Sequence, residues 1–127
     1  LQRFSEANEM ERVTGIGGLF FRASDPDALA AWYEKHLGVT PAPSSDGDSV
    51  WRQDAGQTVF APFPESTDYW NTAKAWMINF RVENLDRMVG QLSDAGVAVN
   101  IEESDYGRFA RLHDPEGNPI ELWEPQP

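Results

Sequence analysis

The residues best placed for chemistry stand near the end of the chain, where Asp114-Pro115-Glu116-Gly117-Asn118 runs into Pro119-Ile120-Glu121-Leu122-Trp123-Glu124. Asp-Pro opens a turn and Gly-Asn tolerates positive φ, so the segment closes tightly and continues as a strand. Side chains alternate across a strand. With Ile120 and Leu122 turned toward a core, Glu121 and Trp123 face the other way. A carboxylate beside a large aromatic, opposite the core, fits a concave pocket. There it serves either as a general base or as an acid held by a positive or hydrogen-bonding partner. The other titratable candidates are the two histidines, His36 and His113. His36 falls with Lys35 in the last turn of a helix, where the helix dipole favours positive charge. No acid-base partner stands at a helical neighbour position, so structural or surface duty is its reading.

The elements that position these groups follow from local signals. Residues 14–23 read as a strand, with Ile16, Leu19, Phe20 and Phe21 among glycines. Asp25 as N-cap and Pro26 at the first helical position open a helix that Gly38 stops, so it spans 26–37. Leu29, Trp32, Tyr33 and Leu37 form its buried stripe. Residues 41–48 are a polar loop. Residues 50–53 and 57–62 are short strands around an Asp54-Ala55-Gly56 hairpin. The prolines of 62–72 exclude a central strand, and Phe63, Tyr69 and Trp70 make that stretch an aromatic loop that packs down or covers a pocket. A strand at 75–82 precedes Asn84, the cap of a second helix over 85–95 that Gly96 stops, with Leu85, Met88, Val89 and Leu92 inward. Strands at 97–101 and 108–113, separated by an acidic turn at 102–105, lead to the closing segment.

Composition bounds the function. A chain of 127 residues with 21 acids against 10 Lys and Arg carries a net charge of −11. That charge repels phosphate backbones and anionic headgroups, so neither nucleic acid nor a membrane is an expected partner. With no cysteine there is no disulfide framework, thiol nucleophile or thiolate metal site. Residues 1–12 carry charges without an apolar run and read as a leader or loose extension, and the chain as cytoplasmic.

The two halves repeat. Phe21-Arg22 falls on Phe80-Arg81 and Asp25 on Asn84 at one constant offset, and Gly38 falls on Gly96 with one residue fewer. Each half is a β-α-β-β-β module, about 13–64 and 74–125, within one domain over 13–127. Neither module alone buries both its helix stripe and its sheet.

The Asp-Pro-Glu-Gly-Asn-Pro-Ile-Glu-Leu segment, the opening strand-Asp-Pro-helix with Trp32-Tyr33 before Leu37-Gly38, and the repeat together resemble the vicinal oxygen chelate superfamily. That group includes glyoxalase I, bleomycin-resistance proteins and extradiol dioxygenases. The resemblance implies an α+β fold in which two tandem βαβββ modules form an open, cup-shaped eight-stranded sheet, commonly in a homodimer. In the metal-dependent members Glu121 would be a ligand. The matching positions in the two modules are Gly18 and Met77, neither a ligand for a hard or borderline divalent ion, and the strand at 57–61 has no acid. One carboxylate does not make a catalytic metal site, so a metal-free cup without cofactor is expected.

Counting inward positions from Gly18 and Met77 gives Phe20, Arg22, Asn79 and Arg81, with Glu121, Trp123 and Phe60 completing the lining. Ligand-binding residues are thus expected at Phe20, Arg22, Phe60, Met77, Asn79, Arg81 and Trp123, with Glu121 as the catalytic candidate. Apolar walls with a few polar groups suit a small organic ligand, anionic or aromatic. Three functions remain open: sequestration of such a molecule, an isomerase or lyase using Glu121 as base with Arg22, Arg81 or Asn79 stabilising an oxyanion, and a metalloenzyme with substituted ligands. Trp123 and Met77 would raise the Glu121 pKa, whereas an adjacent arginine would lower it.

Overall fold

The structure, a computed structural model, describes residues 10–43, 50–105 and 107–126. Most of the expected leader and of the 41–48 loop lies outside the described residues. In chain order the elements are α1 (Pro26–Leu37), β1 (Ile78–Arg81), α2 (Leu85–Asp94), β2 (Asn100–Ser104), β3 (Gly107–His113) and β4 (Pro119–Glu124). No helix among the described residues is long and apolar enough to cross a membrane.

Both helices start where their caps require. The Asp25 carboxylate accepts from the Ala28 amide at 3.1 Å, and Pro26 occupies the first turn, where its missing N–H leaves nothing unpaired. Gly38 takes the left-handed conformation, φ 72°, that a side chain would oppose, and its N–H returns to Glu34 O. Asn84 caps α2 by accepting from Arg87 N at 3.0 Å. A second acceptor comes from β4: Glu124 Oε1 takes the Leu85 amide at 2.8 Å.

The sheet runs β1-β4-β3-β2, with β1 parallel to β4 and the other pairs antiparallel. This is the βαβββ module expected of the second half. Ala110, Leu112, Ile120 and Leu122 bury one face against Leu29 and Tyr33 of α1 and Leu85 and Leu92 of α2. Each fully buried Leu or Ile contributes roughly 1.5–3 kcal/mol relative to exposure. The acidic residues Glu102 and Glu103, expected in a turn, lie inside β2. That strand is an exposed edge, so its acids reach solvent and also discourage edge-to-edge pairing.

The closing turn forms as its residues require, and it also clasps the first half of the chain. Asp114 Oδ1 accepts from the amides of Glu116 (2.8 Å) and Asn118 (3.0 Å), and Gly117 sits at φ 81°. Asp114 Oδ2 accepts from Asn118 Nδ2 and from the Tyr33 hydroxyl. Glu116 accepts the amides of Ser24 and Asp25 at 2.6 and 3.0 Å, gripping the chain just before α1.

The first module departs from expectation. Residues 14–23, 50–53 and 57–62 form no strands, so the described residues hold four strands, not eight. A β-strand is stabilised by a neighbouring ladder, and these segments have none. Phe20 and Phe60 are 95% and 85% exposed. At the expected hairpin, Arg81 Nη2 donates to Asp54 O at 3.0 Å.

Candidate functional site

Register places the polar side chains of the sheet together. Asn79 lies beside Glu121 in the parallel β1–β4 pair, and Arg111 lies beside it across β3. Glu121 follows Ile120 and precedes Leu122, both in the core, so alternation turns it to the opposite face with Asn79, Arg111 and Trp123.

Glu121 is only 5% exposed, and both of its carboxylate oxygens are engaged. Oε1 accepts from Asn79 Nδ2 at 2.8 Å. Oε2 accepts from the Tyr69 hydroxyl at 2.6 Å and lies 3.3 Å from Arg111 Nε. Arg111 also stands 3.4 Å from Glu102 Oε2 and donates through Nη1 to the Tyr69 carbonyl. Its guanidinium lies over the Tyr69 ring, 3.8 Å from the centroid, in cation–π contact. Burial, then the bond to Glu121, holds the Tyr69 phenol above its ordinary range, and the bond to Arg111 partly opposes this.

Tyr69 belongs to the aromatic loop, which does cover the sheet. Phe63 stacks on Tyr69 at 5.5 Å and meets Trp70 edge-on at 5.2 Å. Trp70 Nε1 donates to Lys74 O, closing the loop on itself. Beside it lies an open groove of about 870 Å³, bordered by Asp68, Trp70, Glu102, Arg111, His113 and Pro119.

The expected site residues are only partly gathered here. Glu121 and Asn79 are in contact, and Trp123 shares their face with its Nε1 buried and without a hydrogen-bond acceptor among the described residues. Met77 is half-buried just before β1. Arg81 is taken up by the Asp54 carbonyl. Arg22 lies in a separate hollow with Lys74 and Glu116. Neither arginine is the partner of Glu121. Phe20 and Phe60 stand out in solvent. Arg111 is not among the expected site residues, and Tyr69 is expected only as part of a loop that packs down or covers a pocket. Alternation against Ala110 and Leu112 would have turned Arg111 to the Glu121 face. No comparable signal marks Tyr69, which reaches the site from a loop.

The donor set does not fit the divalent ion that the resemblance associates with Glu121. The group against its carboxylate is a guanidinium, a charge that repels a metal cation. Gly18 has no donor side chain and Met77 only a soft thioether, and among the described residues no three of His, Asp or Glu converge.

Comparison with known proteins agrees with this architecture. A family model described as a glyoxalase-like domain matches residues 18–123. Among solved structures, TnmS3, an antibiotic binding protein from Streptomyces sp. CB03234, covers 92% of this chain and all of its own, with 19% identity and a TM-score of 0.61. A glyoxylase/bleomycin resistance protein/dioxygenase domain from Frankia sp. EAN1pec covers 91% and 100%, with 20% identity and 0.61. A lactoylglutathione lyase from Agrobacterium tumefaciens covers 90% and 96%, with 16% identity and 0.61. At these identities the likeness concerns the fold alone. No curated protein matches the sequence.

Proposed function

Because the chain belongs to the glyoxalase-like domain family, we propose that it binds a small aromatic organic molecule on the Glu121 face of its sheet, without metal. The observation that carries this reading is the engagement of Glu121 by Tyr69, Asn79 and Arg111. A carboxylate so paired anchors a polar floor, and a general base needs a free lone pair directed at substrate. Use of Glu121 as a base would require Tyr69 or Arg111 to leave it first. Aromatic loop residues over that floor supply the apolar wall that small-molecule sites require. The fold neighbour described as an antibiotic-binding protein supports a sequestering role within this proposal.

The same proposal includes a homodimer in which the first module's strands form and the eight-stranded cup closes. Val13, Phe20, Val59 and Phe60 stand exposed, and the free edge of β1 offers a ladder for a strand to join. A second copy of this chain answers both needs.

Two measurements test the reading. Aromatic compounds titrated against the intrinsic tryptophan fluorescence should give saturable quenching that neither a chelator nor added Zn changes. A strict metal requirement, or turnover abolished by Glu121→Gln with binding intact, would replace it with an enzyme. Light scattering should give twice 14.3 kDa, and a monomer would remove the dimer from the proposal.

A further inference from the structure

Tyr69 is joined to the candidate site as a bound molecule would be. Its loop shares no backbone ladder with the sheet. Among the described residues the hydrogen bonds from residues 63–72 to the sheet are those of Tyr69 itself, hydroxyl to Glu121 and carbonyl to Arg111. The ring lies under the guanidinium at 3.8 Å, and Tyr69 as a whole residue remains 40% exposed, within reach of solvent and of competitors. A phenol is thus recognised at both ends, by a carboxylate that takes its proton donor and by a cation on its π face.

From this we infer that Tyr69 is the resident occupant of a phenol subsite, and that the ligand is an aromatic compound bearing a hydroxyl donor, which enters by displacing it. The inference rests on the binding role proposed above and narrows its ligand class. Charge sets the sign of the choice. Glu121 and Glu102 flank Arg111, and Asp68 borders the same groove, so acids outnumber the one arginine there. A carboxylate ligand would meet acceptors and like charge, whereas a neutral phenol restores the hydroxyl bond to Glu121 and the ring contact with Arg111 that the Tyr69 side chain gives up. Displacement of this side-chain latch leaves the loop's own hydrogen bonds, Trp70 to Lys74 and Tyr69 N to Thr67, in place because they are internal. Tyr69 therefore sets affinity: a ligand binds to the fraction of molecules whose latch is open.

The test is calorimetric titration of 4-methylphenol, toluene and 4-methylbenzoate into the full chain and into Tyr69→Ala and Tyr69→Phe. In Tyr69→Ala, 4-methylphenol should bind at least about tenfold more tightly than the other two, and Glu121→Gln in that background should erase the preference. Tyr69→Phe keeps the ring and drops the latch, so it should bind 4-methylphenol several-fold more tightly than the unsubstituted chain. It decides the matter alone if Tyr69→Ala does not fold. Equal affinities for 4-methylphenol and toluene, a preference for 4-methylbenzoate, or no gain in Tyr69→Phe would overturn the phenol subsite. Aromatic compounds that bind all forms alike would overturn it while leaving the cup's binding role intact. Failure of every aromatic compound to bind any form would remove both.

Discussion

Tyr33 of α1 donates a 2.6 Å hydrogen bond to Asp114 Oδ2, which opens the turn before β4 and is only 4% exposed. The bond ties the helix of the first half to the closing turn of the second. Tyr33→Phe keeps the packing and removes one of the donors on a buried carboxylate. Because Asn118 and two amides still serve Asp114, we expect a loss of about 1–2 kcal/mol. Thermal unfolding should move down by about 4–8 °C, and an unchanged midpoint would show that this bond does not tie the halves together.

Alkaline pH should act on the same bond. Burial, then the bond to Asp114, pushes the Tyr33 phenol well above its ordinary value of 10.0. The unfolded chain therefore gives up this proton before the folded one does. The stabilisation is complete below about pH 10 and is lost as pH rises beyond it, because the unfolded state then binds fewer protons. Tyr69, raised for similar reasons, adds in the same direction. Urea denaturation between pH 8 and 11 should show stability falling above 10, and Tyr33→Phe should flatten the decline. A steeper decline in the variant would contradict the assignment.

The Arg111–Glu121 pair is open to a thermodynamic cycle. Their side chains are 23% and 7% exposed, so Arg111→Met leaves a buried carboxylate without its positive partner. A destabilisation of about 2–4 kcal/mol is expected, at or below that of fully buried pairs. Adding Glu121→Gln removes the stranded charge and should recover part of the loss. Strict additivity of the two substitutions would mean that the charges are not coupled.

Metal content tests the metal-free reading of the Glu121 face directly. Protein exposed to Zn, Ni, Mn or Fe and then desalted should retain no stoichiometric ion by elemental analysis. An ion held by Glu121 and two further side chains would require Arg111 to swing away, and would reverse the reading of the site.

What the sequence determined by itself is what its residues settle within a few positions. Asp25 reaches Ala28, Asn84 reaches Arg87, Pro26 and Gly38 bound α1, and Asp114 folds its own turn. The alternation around Glu121 likewise gave its face, since Ile120 and Leu122 could only be core. The family resemblance and the βαβββ order of the second half rest on these local signals. Of Glu121's partners, Asn79 falls in the same inward-facing set by alternation, but the arginine and the tyrosine could not be read this way. Arg22 and Arg81 were nearest by analogy between the repeats, but sheet order sets Arg111 beside Glu121, and a loop returns Tyr69 from 52 residues away. The same reason explains residues 14–23 and 57–62, whose composition favours strands. Strand pairing is an interaction with a neighbour, so composition supplies the capacity and only the tertiary arrangement supplies the partner.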